Sequence, residues 1–302
     1  MATSVAKLNM KREEREVGRS LTQLALSRLR RDRLTLIALT FIIVLALLSY
    51  VFAPIISNLL NVSYARTDPN STFLPPLSPG HFLGTDDLGR DLLARLLFAG
   101  QVSLGVGFTA AILSLSIGVI LGTLTGYYGG IIDDFVNWFI ATLSSIPTLF
   151  LLLIIAAVLR PGPLTLILVL GLLGWTDITR LVRGETLSIR EREYIVSARA
   201  IGASPLRIMF NHILPNVVSI IIITLAIDIG SLILVEAGLS YLGFGIQPPT
   251  PEWGNMLTDA QTYFNRGPYL VIAPGLLIFL TVLCLYVIGD GVRDAFDPTA
   301  KD

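Results

Sequence analysis

Six long apolar stretches, nearly free of charge, recur along this chain and limit what it can fold into. A membrane helix needs roughly 20 apolar residues to cross about 30 Å of hydrocarbon, because backbone polar groups there can bond only within the helix. Leu34 to Phe52 is the first such stretch. The second lies within the uncharged region Leu96 to Ile132, which is too long for one straight span, so its approach, Leu92 to Gln101, is expected as an amphipathic helix on the outer surface. Tyr127-Tyr128-Gly129-Gly130 then supplies interface aromatics and a turn. Phe135 to Leu159 makes the third span, kinked at Pro147, since proline removes one ladder donor and clashes with the preceding turn. After an outer turn at Arg160-Pro161-Gly162-Pro163, Leu164 to Thr179 gives a shorter fourth span with Asp177 near its inner end. Asn211 to Val235 is the fifth, with Asp228 inside it, and Pro268 to Gly289 the sixth, with Pro274 inside it. The predicted fold class is an all-α integral membrane protein with about six transmembrane helices.

Composition agrees. Only 15% of the 302 residues are charged and 53% are apolar, against about 25% charged in soluble domains; the mean hydropathy is +0.72. The 22 basic and 22 acidic side chains balance, so no global field recruits nucleic acid or an acidic partner. The single cysteine, Cys284, sits inside an apolar run, which excludes an internal disulfide and leaves too few soft ligands for a zinc site, so no metal site is expected. The first apolar run is longer than a signal-peptide core of about 7 to 15 residues and follows a polar leader, so it reads as a retained span.

Where the basic residues lie sets the orientation, because the side with the excess stays cytoplasmic. Residues 1–33 hold nine (Lys7, Lys11, Arg12, Arg15, Arg19, Arg28, Arg30, Arg31, Arg33) and the segment Arg180 to Arg207 holds six more, whereas Pro54 to Gly100 has only Arg66, Arg90 and Arg95. Both termini are therefore expected inside, in the cell membrane. The organisation that follows is a cytoplasmic segment 1–33, a first span 34–53, an external segment 54–100, a core of five spans 101–290 and a cytoplasmic tail 291–302. Within the core, 184–210 is the cytoplasmic loop and 236–267 an external one.

The cytoplasmic loop is unlike the rest of the chain. Its chemistry predicts two short helices with a sharp break: Gly202 suits the left-handed position that stops a helix, and Ser204-Pro205 is an N-cap with a pre-set first turn. In the first helix Tyr194, Ala198 and Ile201 fall on one face at i, i+4 and i+7, and small residues crowd the turn at Ala198, Ala200, Gly202, Ala203 and Ser204. Small side chains let another protein approach closely; the alternative is an amphipathic helix resting on the inner leaflet.

Glu193-Tyr194-Ile195-Val196-Ser197-Ala198-Arg199-Ala200-Ile201-Gly202-Ala203-Ser204-Pro205, continuing to Pro215-Asn216, resembles the EAA signature of binding-protein-dependent ABC permeases. Val196 and Ser197 stand where that signature has its glutamate and first alanine, so only Ala198 of the triplet is kept. Four further segments, Phe82 to Asp91, Leu239 to Gly245, Gln247 to Met256 and Gly289 to Pro298, resemble the dipeptide/oligopeptide/nickel permease family, in particular its C-type subunit.

The resemblance implies a type I importer permease fold in which Glu193, Tyr194, Ala198, Arg199, Ala200, Gly202, Ala203, Ser204 and Pro205 belong to a coupling helix that docks on an ATPase subunit. It also implies a second homologous permease, two ATPase subunits that carry ATP and Mg, and an external binding protein that delivers peptides. The chain contains no phosphate-binding Gly-x-x-x-x-Gly-Lys-Ser/Thr loop, so no cofactor and no catalytic residue is assigned to it. Gln247, Pro248, Trp253 and Asn255 are candidates for contact with the delivery protein, with bracing of the outer loop as the other reading. Asp228 is the pathway candidate, because a charge at membrane depth is costly and functional by default, although Ser231 is a possible structural partner for it. Asp177 and Glu236 lie nearer the interfaces and suggest structural roles. A proton-coupled secondary transporter relaying protons through Asp228 and Asp177 is the rival reading.

Overall fold

A computed structural model describes residues 21–160 and 162–296. Lys7, Lys11, Arg12, Arg15, Arg19, Pro161 and the Asp297-Pro298 end of the last motif lie outside the described residues. Every regular element among those described is a helix, apart from two isolated β-bridges in the outer cap. Five helices are long and apolar enough to cross a membrane, six if one sharply bent pair counts as a single span.

Helix α1 (Leu21–Leu29) leads into α2 (Arg33–Leu59), whose start is capped by Asp32 accepting from Leu34 N at 3.0 Å. A wide turn at Leu48–Phe52 runs within α2 just before Pro54, where the missing proline N–H loosens the ladder. Helix α3 (Leu92–Tyr128) has 37 residues, about 55 Å at 1.5 Å per residue, and so outreaches the hydrocarbon. Its first turns are not a separate surface helix: Leu92 to Gln101 continues straight into the span, and Leu92, Ala94, Leu96, Leu97 and Ala99 are buried. The outer cap folded over them replaces lipid headgroups as their surroundings.

The third apolar stretch is broken rather than kinked. Helices α4 (Gly130–Ser144) and α5 (Thr148–Val158) meet at 81°, with Ser145-Ile146-Pro147 between them. Proline disfavours the helical conformation at the residue before it, and here the bend falls at Ile146. Helix α6 (Pro163–Arg190) overruns the expected Leu164 to Thr179 by three turns, carrying its arginine face beyond the apolar stretch. The elbow helix α7 (Glu193–Ala200) is followed by α8 (Pro205–Tyr241), which contains a wide turn at Met209–Ile213 directly ahead of Pro215. The outer helix α9 (Trp253–Gln261) and the last span α10 (Tyr269–Phe296) complete the chain.

The bundle is organised on α3 and α6, its most extensive helix pairing. Gly118, Gly122 and Gly126 line one edge of α3, and a Cβ on Gly122 would lie 2.8 Å from both the Thr179 carbonyl oxygen and the Val182 Cβ of α6. The absence of side chains lets the two backbones touch, and dispersion between them replaces the hydrophobic drive that lipid does not supply. Helix α8 packs against α3 and α10, and α10 packs in turn on α2. Large apolar residues remain exposed along the outer faces, among them Ile37 (67%), Phe135 (63%), Ile154 (62%) and Phe279 (60%), as lipid contact requires.

At the end of the bundle expected to face outside, residues 60–91 and 242–268 form a cap tied to the spans by polar contacts. Arg90 Nε donates to Asp86 at 2.6 Å, and Arg95 reaches both Asp86 (3.4 Å) and Asp259 (3.7 Å). The Tyr269 hydroxyl donates to the Leu74 carbonyl at 2.9 Å. His81 Nδ1 pairs with Asp91, the N-cap of α3, at 2.8 Å.

Replacing Gly122 by leucine inserts a side chain where backbone already stands. The expected cost is roughly 1–3 kcal/mol, read as a lower thermal midpoint in detergent, whereas Gly184→Leu, with open space around the added Cβ, leaves the midpoint unchanged.

Candidate functional site

The inner elbow is built on the end of α6. Arg190 Nη1 donates to the carbonyls of Gly126 (3.1 Å) and Tyr127 (3.2 Å), the last-turn acceptors of α3 that no helical N–H reaches. Asp133 of α4 accepts two bonds from Arg183 of α6, one of them at 2.6 Å. Helix α6 thus reaches the elbow already fixed to its neighbours.

Helix α7 hangs from this support by one side chain. Ile195 is fully buried among Ile189, Ile208, Met209, Ile213 and Val217. On the face that the spacing predicts, Tyr194 and Ile201 are 42% and 87% exposed and Ala198 is half-buried, so α7 packs through Ile195 instead. The turn after α7 closes with Ala203 N donating to the Ala198 carbonyl at 3.0 Å and Gly202 N to the Arg199 carbonyl at 3.0 Å, the paired bonds of a Schellman stop. Gly202 has φ +90°, and Ser204 accepts from Arg207 N to start α8, so the two-helix break matches expectation. The Arg199 guanidinium lies 5.6 Å from the Tyr127 ring centroid, a cation–π contact back to α3. Glu193, Ala200 and Pro205 are exposed and Ala203 is half-buried. Val196 (51%), Ile201 (87%), Leu206 (62%) and Phe210 (63%) form an apolar surface on the elbow.

Between α6 and α8 lies a cavity of about 300 Å³ lined by Gly174, Asp177, Leu181, Thr224, Asp228 and Ser231 among others. One Asp228 oxygen is buried without a partner. Ser231, the possible partner for Asp228, instead meets the Tyr286 hydroxyl of α10 at 2.9 Å. Asp177 is exposed and pairs with Arg180 at 3.2 Å, and Arg180 also donates to Ser144 at 2.8 Å.

The outer candidates divide. Gln247 and Pro248 are exposed, but Trp253 is fully buried, its indole donating to the Leu96 carbonyl at 3.2 Å, and Asn255 is buried and donates to the carbonyls of Ile246 and Thr250. Trp253 and Asn255 therefore brace the cap and offer no side-chain surface to a delivery protein. Glu236 is also corrected: it sits inside α8, fully buried rather than near water.

With this geometry in place, the comparisons with known proteins decide the family. The profile of the binding-protein-dependent transport system inner membrane component matches residues 118–302, and that of the N-terminal TM domain of oligopeptide transport permease C matches residues 20–76. The chain belongs to the family of binding-protein-dependent inner-membrane permeases. It is 38% identical to a dipeptide transport system permease protein DppC of Alkalihalophilus pseudofirmus, over 92% of this chain and 90% of that one. It is 36% identical to an oligopeptide transport system permease protein OppC of Bacillus subtilis, over 93% and 91%. A glutathione transport system permease protein GsiD of Pectobacterium atrosepticum is 40% identical over 74% of each chain. Among solved structures, the MetNI methionine ABC transporter in inward-facing conformations superposes with a TM-score of 0.54 at 21% identity, covering 67% of this chain and 96% of that one, which supports the fold. The permease is a multi-pass inner-membrane protein with an ABC importer fold.

Three features of the permease's inner half escaped the sequence reading: Arg190, the Asp133–Arg183 pair and the glycine edge of α3. The last had a visible signal, small residues at every fourth position within an apolar run. The other two pair residues 50 or more apart in sequence, and nothing local announces them. Arg190→Gln is expected to leave the α3 carbonyls unpaired at roughly 1–3 kcal/mol. Hydrogen exchange then rises at Glu193–Ala200 and at the end of α3, with the outer cap unaffected.

Proposed function

We propose that this permease is one of two homologous membrane subunits of an ATP-driven importer of peptides. Two ATPase subunits carrying ATP and Mg bind beneath them, and an external binding protein delivers the solute. The observation that carries this reading is the elbow: an apolar surface of Val196, Ile201, Leu206 and Phe210, held against lipid-spanning helices by Ile195 and Arg190. Such a knob suits a groove on a cytosolic motor, a reading in which 184–210 and both termini lie on the cytoplasmic side. A peptide cargo is supported by the relatives, whose names specify dipeptide, oligopeptide and glutathione transport. ATP is hydrolysed by the partners, since this chain offers no phosphate loop.

Coupling requires two conformations whose balance nucleotide shifts. ATP-driven closure of the ATPase pair pushes on Glu193 to Pro205; α6 and α8, which flank the elbow in sequence, then move as rigid bodies and expose the cavity to alternate sides. Asp228 lines that cavity and attracts the ammonium group of a peptide amino terminus, and Gln247 and Pro248 meet the delivery protein.

In the assembled transporter, Gly202→Val forces a β-branched residue into a left-handed conformation, at roughly 1–2 kcal/mol, and reshapes the docking turn. ATP hydrolysis is expected to persist while uptake into reconstituted vesicles falls; normal uptake with normal assembly would overturn the docking assignment, and uptake driven by a proton gradient without ATP would favour the secondary-transporter reading. Asp228→Asn should lower uptake of free-amino peptides roughly tenfold, about 1.4 kcal/mol, with N-acetylated peptides little affected. Equal loss for both would remove Asp228 from recognition.

A further inference from the structure

Two acidic side chains from different segments meet where water does not reach. Glu236 lies in α8 and Glu252 is the N-cap of α9, and both are 0% exposed. Glu252 accepts from the Ser240 hydroxyl at 2.6 Å and from Gly254 N at 3.3 Å, and its own N–H donates to Asn255 Oδ1 at 3.2 Å, completing a capping box. Neither oxygen of Glu236 has a protein donor bonded to it; its polar neighbours are the Glu252 carboxyl and the Ser103 hydroxyl of α3.

Among the described residues, no countercharge acts on the pair. The groups that act on the pair are Ser103 from α3, Ser240 from α8, and the backbone of Ile246 and Gly254 from the outer loop and α9. The charged groups Asp86, Asp87, Arg90, Arg95 and Asp259 cluster with the far end of α9. Two ionised carboxylates in contact at such a site would repel across a medium that cannot screen them, and buried charges persist only when paired. One proton between them turns repulsion into a charge-assisted hydrogen bond. Burial pushes the Glu252 carboxyl up from its ordinary value, in the same direction.

The pair also stands at the fastening point of the outer cap. A Cβ on Gly254 would lie 2.7 Å from the Ala237 Cα of α8, so α9 begins in direct contact with that helix. Trp253 fills the space beside it, with its backbone N–H on Ser103 (3.3 Å) and its indole on the Leu96 carbonyl, both in α3. Whatever joins Glu236 to Glu252 therefore joins α9 to α8 at the point where α9 also holds α3.

We propose that Glu236 and Glu252 share a single proton, and that this carboxyl–carboxylate bond is a latch fastening the outer helix α9 onto the two long spans α3 and α8. When the last proton leaves to solvent as pH rises, two adjacent buried anions remain, and α9 lifts or admits water.

The full-length chain in lipid nanodiscs, with Trp138→Phe and Trp175→Phe, leaves Trp253 as the sole tryptophan of the three in the sequence. Raising pH from neutral to alkaline is expected to red-shift its emission and increase its quenching by acrylamide several-fold. Glu236→Gln supplies a permanently neutral donor to Glu252 and should abolish that transition; Asp259→Asn, in the outer ion network, should leave it. Infrared spectra at neutral pH should lose the carbonyl stretch of one protonated carboxylic acid in Glu236→Gln, and likewise in Glu252→Gln, which serves if the first variant does not fold. An unchanged transition in Glu236→Gln, its disappearance in Asp259→Asn instead, or no loss of carboxylic acid intensity in either glutamine variant would overturn the latch.

Discussion

The contact between α3 and α6 is the constraint on which the rest of the permease depends. Backbone meets backbone there because Gly118, Gly122 and Gly126 present nothing between them. In lipid, apolar surface gains little by leaving its surroundings, so helices associate through close dispersion contact and through polar groups that find no other partner. Once α3 and α6 are joined along this edge, the carbonyls ending α3 lie within reach of Arg190, and the end of α6 has a fixed place to launch the elbow. The cavity on the other side of α6 inherits the same fixed wall.

Much of this was legible from residues alone, and the reasons differ by level. Span existence follows from a solvent constraint that acts on every backbone group, so apolar length reveals it; all six expected stretches are helical among the described residues, one of them divided. Helix ends were less legible. Leu92 to Gln101 contains Arg95 and reads as a surface helix, but Arg95 is buried in an ion network with Asp86 and Asp259 that only the folded cap brings together. Likewise α6 continues past Thr179 because Arg183 and Arg190 find acceptors on α4 and α3, partners invisible to local pattern. The elbow was legible because its stop signals are local: a glycine at positive φ, then serine and proline. Its buried anchor was not, since one isoleucine among several apolar neighbours is chosen by tertiary packing.

The permease handles charge at depth in distinct ways, and the differences sort structure from function. Asp133 and Arg183 neutralise each other across two helices, which fastens α4 to α6. Arg90 and Arg95 pair with the acids of the cap, although Arg95 Nη1 is buried without a hydrogen bond. Asp228 has neither: one oxygen is buried unpaired beside a cavity, and Ser231, a turn away, is engaged by Tyr286. An unpaired carboxylate oxygen costs stability, and the cavity beside Asp228 leaves room for a group that could meet it.

The elbow's own asymmetry bears on how force could pass through it. A lever must be stiff where it is held and yielding in shape where it is gripped. Ile195 inserts between the end of α6 and the start of α8, and Arg199 stacks on Tyr127 at the end of α3, so α7 cannot shift without moving the ends of all three long helices. Its outward side is different in kind: Val196, Ser197 and Ala200 are exposed, small or medium-sized, and uncharged. The position where the related signature has glutamate is Val196, half exposed on that outward side. An apolar residue there leaves that position without a carboxylate, and the exposed charges of α7 are Glu193 and Arg199 instead.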